Sequence, residues 1–412
     1  MNDYIKMLPA LLSGDALMEA LKDIPGYDIS ITEQDAAVRL MGLSDIYKLY
    51  LPSQMTVEIY NKLYLATVMS LQKKGTKLAV RQQNATFHAM QGNEYRGIIG
   101  GSDSFTIIGA SGIGKSSAVE RAISLISANG MIETAQPYSR VIPCMVVQCP
   151  YDCSPKGMLL EILRIVDLNL DTTYYQKSQR AGVTTDLLIG TVAQVALNHI
   201  GLLIIDEIQH VAGHKNGRTL VGMLTQLINS SGISVCMVGV PESIPFFEQA
   251  MQLARRSVGL QYGALQYDGY FREFASLLFR YQYVKNRTEL SDSVVEWLYE
   301  HSGGIISTMM LLVHDAQEIA IFNGREILDV ESLNGAYVNR LALLHGFVSP
   351  SIKQNQRLPQ KKEKPAGIAS KGDTQIPADY MSIPEIVQKA KNQSMDVVSL
   401  LKTHISVTEV PV

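Results

Sequence analysis

Phe105-Thr106-Ile107-Ile108-Gly109-Ala110-Ser111-Gly112-Ile113-Gly114-Lys115-Ser116-Ser117 is the stretch on which the fold turns. A short apolar run enters a glycine-rich turn, and a lysine and two serines follow. From Gly109 to Ser116 the residues fit G-x-x-x-x-G-K-[ST] in full. Glycines let the backbone curl so that successive N–H groups face one anion. A helix starting at the lysine adds partial positive charge at its first turn. Lys115 is placed to reach β- and γ-phosphates, and Ser116 to offer a hydroxyl to Mg²⁺. The expected nucleotide-binding set is therefore Gly109, Ser111, Gly112, Ile113, Gly114, Lys115, Ser116 and Ser117, with ATP and Mg²⁺ as cofactors.

Working outward, β-rich runs alternate with helical patterns, the signature of an α/β domain with a parallel sheet. The strands expected are Ser104–Ile108, Arg140–Gln148, Leu202–Ile205 and Ser234–Val238. Their near-continuous apolar character suits strands covered on both faces. Helices are expected over Lys115–Ser127, Lys156–Asp167, Thr185–His199 and Thr219–Ser230. The third strand ends in Asp206-Glu207. Two carboxylates at the end of a buried strand are costly without a cation or water to compensate them. Beside a phosphate loop, Asp206 would serve the Mg²⁺ shell and Glu207 would polarise an attacking water.

The whole chain has 412 residues, 46% hydrophobic and 18% charged, with a formal charge of −3. That length predicts two or three domains. The composition excludes wholesale disorder, collagen and a disulfide scaffold. Any nucleic-acid contact must come from a local patch, because the global charge is nearly balanced. No window approaches the ~18–20 apolar residues of a membrane span, so no membrane partner is expected. The N-terminus makes a poor signal peptide. A cytoplasmic protein is expected, and Cys144, Cys149, Cys153 and Cys236 read as reduced, buried thiols.

Four regions follow. Residues 1–98 read as a helical N-terminal region without a chemical motif, suited to docking a partner; Ser53–Lys73 carries its clearest helical pattern. Residues 99–262 form the α/β core and 263–349 a helical lid. Residues 350–412 form a basic tail. Lys353, Arg357, Lys361, Lys362, Lys364 and Lys371 face only Glu363 within a flexible linker. An amphipathic helix then begins near Ser382, Pro384 and Glu385.

The strand–GASGIGKSS–helix unit, CPYDCSPKGMLLEIL, IDEIQH within Gly201–His210, and MVGVPES together resemble the TnsC/TniB family of AAA+ transposition regulators. The resemblance covers about 105–256 well and the lid loosely. It implies an AAA+ P-loop NTPase fold of αβα type and an ATPase that oligomerises as a ring or filament on double-stranded DNA, independent of sequence. It further implies coupling of a target-selection protein to a transposase. By position, Lys156, then Lys177 and Arg180, would contact DNA phosphates. Arg255 or Arg256 would reach a neighbouring subunit's γ-phosphate.

Two departures from general AAA+ patterns stand out. The fourth strand ends at Val240-Pro241, where a polar γ-phosphate sensor is usual; Glu242 or Ser243 are the available substitutes. The lid motif Ser302-Gly303-Gly304-Ile305-Ile306-Ser307 carries no arginine after its glycines. Both imply slow, switch-like hydrolysis. Two other readings remain open: an AAA+ initiator or helicase loader acting on DNA, and a signalling ATPase or protein-binding scaffold.

Overall fold

A computed structural model of the chain describes residues 3–74, 76, 81, 104–135, 138–179, 183–245 and 259–341. The chain divides into the units Met1–Arg357 and Leu358–Val412. The second, with the expected tail linker and terminal helix, lies outside the described residues, as do Arg180, Arg255 and Arg256.

Six strands form one sheet: β1 (Phe105–Gly109), β2 (Ile132–Ala135), β3 (Tyr138–Gln148), β4 (Ile200–Asp206), β5 (Ser234–Gly239) and β6 (Leu260–Tyr262). Their order is β2-β3-β4-β5-β1-β6. All neighbours are parallel except β2, which pairs antiparallel with β3. One strand, β5, thus separates the phosphate-loop strand β1 from the acidic strand β4. Both active ends emerge on the same edge of the sheet, where open α/β sheets bind ligands. The fold is a mixed α/β P-loop fold built on a largely parallel sheet.

The four expected strands are present: β1 is shifted by one residue, β3 and β4 start two residues earlier, and β4 and β5 end one residue later. β2 and β6 did not stand out in the sequence. β2 alternates buried and exposed residues through Glu133 and Thr134, and β6 is only three residues long. Neither makes the apolar run that marks a strand covered on both faces.

Helices cover the sheet on both sides. On one side, Pro155–Leu170, Thr185–His199 and Gly217–Ser231 bury Leu159, Leu163, Val192, Leu220 and Leu224 against β3, β4 and β5. On the other, Lys115–Ile126 and Gln54–Lys73 bury Ala118, Ala122, Ile59 and Leu63 against Phe105, Ile107 and Ile204. Ser53 caps the second of these through a reciprocal box with Thr56. Residues 3–74 therefore do not stand apart. Leu17, Leu21 and the Gln54–Lys73 helix belong to a sheet core, whereas Leu43, Ile46 and Leu49 belong to the lid core.

The lid consists of Gly269–Arg280, Asp292–Ser302, Ile306–Phe322 and Val330–Arg340. Its core packs Phe271, Phe274, Leu298, Leu312 and Val313. Among the described residues no single helix is long and apolar enough to cross a membrane. Asp292–Ser302 and Ile306–Phe322 pass that test only as a pair, bent by 119°, and the apolar faces of both lie in the lid core.

The N-terminal segment straps lid to core through charges. Arg39 is buried and holds Glu326 with two bonds of 2.6 Å. It also donates to the carbonyls of Gln34 and Tyr283. At the other end Arg121 pairs with Asp23 and sits 5.4 Å over the Tyr50 ring. Arg39→Ala takes the guanidinium from Glu326, leaving it the Lys285 N–H at 3.2 Å, and removes a donor from the buried Tyr283 carbonyl. The expected cost is about 3–5 kcal/mol, read as a clear drop in thermal midpoint. An unchanged midpoint would show the clamp to be dispensable.

Candidate nucleotide site

β1 delivers Gly109 to the sheet edge, and the phosphate loop turns back over it. Gly112 and Gly114 have φ of 79° and 92°, a region where side chains are strained. A Cβ on Gly112 would lie 2.2 Å from Ser307 Oγ. The lid touches the loop there directly, since Ser307 N–H donates to the Gly112 carbonyl at 3.0 Å. This is the lid motif without an arginine: it grips the loop by backbone.

Lys115 opens the following helix, and its ammonium donates to the carbonyls of Gly109 and Ala110, both at 2.8 Å. Burial pushes its pKa down, and Asp206, Glu207 and Glu242 pull it back up. Ser116 Oγ donates to Asp206 Oδ2 at 3.1 Å. Asp206 Oδ1 accepts from the Glu207 N–H at 2.8 Å. The structure thus brings together the loop, Lys115, Ser116, Asp206 and Glu207, although Lys115 and Asp206 are far apart in sequence. A hydroxyl and a carboxylate at hydrogen-bond distance are hard oxygen donors that suit Mg²⁺ held also by phosphate oxygens.

A cavity of about 630 Å³ adjoins these groups, within the usual range for small-molecule sites. One side is the loop from Ser111 to Ser117, with Asp206, Glu207, Gln209, Gly239 and Val240. The other combines N-terminal residues Asp23, Pro25, Leu49, Tyr50 and Leu51 with lid residues Phe274, Ile306 and Met310. Sequence reasoning missed this second wall, since nothing local in 23–51 signals a ligand. The Asp23–Tyr50 pairing that shapes it (N···O 3.0 and 2.7 Å) joins residues from two loops.

The substitutes for a sensor do not reach the cavity wall. Ser243 is buried and its hydroxyl donates to the Val240 carbonyl at 2.8 Å. Glu242 does not line the cavity, though it acts on Lys115 through its charge. Lys156 and Lys177 are exposed on neighbouring helices, Lys156 with a 3.4 Å bond to the Val183 carbonyl.

All four cysteines are free and buried. Burial pushes the Cys144 and Cys149 thiols up to about 12, which suppresses thiolate chemistry. Among the described residues no group of three or more His, Cys, Asp or Glu could hold a metal ion on its own.

Residues 99–246 match the family model described as an AAA domain. No curated protein matches the chain. Among solved structures, the Aeropyrum pernix ORC1 protein in complex with DNA is similar at 15% identity and a TM-score of 0.41, covering 63% of each chain. Domain III of the Thermotoga maritima replication initiation protein DnaA is similar at 16% identity and a TM-score of 0.33, over 67% of this chain and 94% of that one. Drosophila ORC bound to DNA is similar at 12% identity and a TM-score of 0.43, over 99% and 86%. The chain spans less than two thirds of the length of the ORC1 chain.

Proposed function

We propose that the chain is a switch ATPase that assembles on duplex DNA under ATP and regulates transposition, joining a target-selection protein to a transposase. The observation carrying the ATPase reading is the approach of Ser116 to Asp206 at 3.1 Å beside the Lys115 ammonium. The transposition reading rests on the GASGIGKSS, CPYDCSPKG and IDEIQH strings and their family resemblance.

In this reading the amides of 111–117 and Lys115 bind the triphosphate. Ser116 and Asp206 would hold Mg²⁺, which would screen phosphate charge. The apolar wall of Leu49, Leu51, Phe274, Ile306 and Met310 takes the base. Glu207 accepts a proton from the attacking water. Arg255 or Arg256 completes the site of a neighbouring protomer, so that nucleotide binding and assembly are one event. The lid and the Asp23–Tyr50 segment meet across the same cavity, which lets the bound nucleotide set their spacing.

Lys156, Lys177 and Arg180 meet DNA phosphates. Such contacts carry no sequence information and weaken with salt. The N-terminal region takes the target-selection partner, and the basic tail, residues 350–412, tethers the transposase.

Lys156→Ala tests the DNA face. With ATP and random duplex, the slope of log affinity against log salt should fall by about 1 per protomer, with nucleotide binding unchanged. An unchanged slope would remove Lys156 from the interface. Assembly on DNA that ignores ATP would refute the switch itself.

A further inference from the structure

The strand tip that usually carries a polar sensor ends here in Val240-Pro241, and Ser243 is committed to a backbone carbonyl. A different side chain occupies the space. Gln209 lines the cavity with Asp206, Glu207, Gly239 and Val240. Its Nε2 donates to Glu207 Oε2. Its Oε1 lies 3.3 Å from where a Cβ on Gly239 would stand, against the end of β5. That oxygen is buried and has no hydrogen-bond partner among the described residues. A buried acceptor without a donor is costly, and such groups call for an explanation in a missing ligand or water.

The backbone supports the same placement. Glu207 has φ of 57°, a conformation that non-glycine residues seldom adopt without cause. The Ile208 N–H is held by the Val238 carbonyl at 3.1 Å. The turn after β4 is thereby folded onto β5, which brings Gln209 back to Glu207. An extended continuation of β4 would carry the amide away from the site.

We propose that Gln209 is a catalytic residue that holds the attacking water, standing in for the polar sensor absent from the end of β5. Its Oε1 accepts one hydrogen of the water while Glu207, oriented by the Gln209 amide, accepts the other. The water oxygen bonds to the γ-phosphorus as the β–γ bridging P–O bond breaks. The electron pair leaves on ADP, and one water proton passes to Glu207. An amide is suited to this task because it donates and accepts at once and stays neutral beside two carboxylates.

The inference rests on the ATPase reading, and the test separates the two. Gln209→Met keeps the side-chain volume and removes the amide; Gln209→Ala is the second variant, and thermal melting checks that each folds. Single-turnover hydrolysis of ATP should slow about 100-fold, the scale for losing one preorganised hydrogen-bonding group. KM should stay within about threefold, as expected for an interaction confined to the transition state. Binding of ADP–beryllium fluoride, a ground-state mimic, should be unchanged. ADP–aluminium fluoride, which carries a ligand at the water position, should bind at least about tenfold more weakly. Equal loss on both mimics, an unchanged rate, or a faster rate would each overturn the assignment while leaving the ATPase reading intact. Failure of the unaltered protein to bind either mimic would instead refute the ATPase reading and the assignment with it.

Discussion

Lys115→Ala is expected to lose nucleotide affinity by about 100-fold or more and, with it, assembly on DNA. The ammonium sits inside the loop, held by the Gly109 and Ala110 carbonyls at 2.8 Å. Charge-assisted bonds contribute roughly 1.5–3 kcal/mol each, and a loss of about 2.7 kcal/mol is a factor of 100. The wild-type side chain also pays for partial burial, which depresses its pKa; triphosphate would reverse that penalty by supplying negative charge. Thermal melting checks that the variant, which releases the Gly109 and Ala110 carbonyls, still folds. Co-sedimentation with duplex DNA and ATP is the readout. Assembly at wild-type nucleotide concentrations would separate oligomer formation from the phosphate loop.

Glu207→Gln should give the opposite phenotype: retained ATP binding with a trapped assembly. The substitution keeps the shape of the side chain and removes its basicity. Hydrolysis should fall by about 10²–10⁴-fold, the usual scale for loss of a general base. DNA-bound assemblies should then persist after ATP is added, with dissociation slowed in proportion. Phosphate release and assembly lifetime measured on one sample check both halves. Normal hydrolysis would remove Glu207 from the water-polarising role. Fast disassembly without hydrolysis would break the link between chemistry and switching.

The phosphate loop and acidic pair were legible because their chemistry is local. Gly112, Gly114, Lys115 and Ser116 are adjacent in sequence, and Asp206 and Glu207 end an apolar strand whose neighbours are equally apolar. The rest of the cavity was not. Asp23, Leu49 and Leu51 come from the N-terminal region and Met310 from the lid, and only folding brings them together. The N-terminal residues read as a region of their own because their helical spacing is visible. That one helical face completes a sheet core, while Leu43 and Ile46 complete the lid, depends on distant partners. Gln209 was in view within IDEIQH, but its place beside Glu207 depends on a positive φ that glutamate does not advertise. The lid motif Ser302–Ser307 carries no arginine after its glycines. Ser307 nonetheless reaches the phosphate loop by backbone, a contact available to any residue and therefore invisible in side-chain identity.

Calorimetric titration of the full chain with ATP and Mg²⁺ tests the central claim most directly. The account predicts saturable binding at one site per chain, abolished by Lys115→Ala and retained by Glu207→Gln. Absence of binding to the unaltered, folded chain would contradict it.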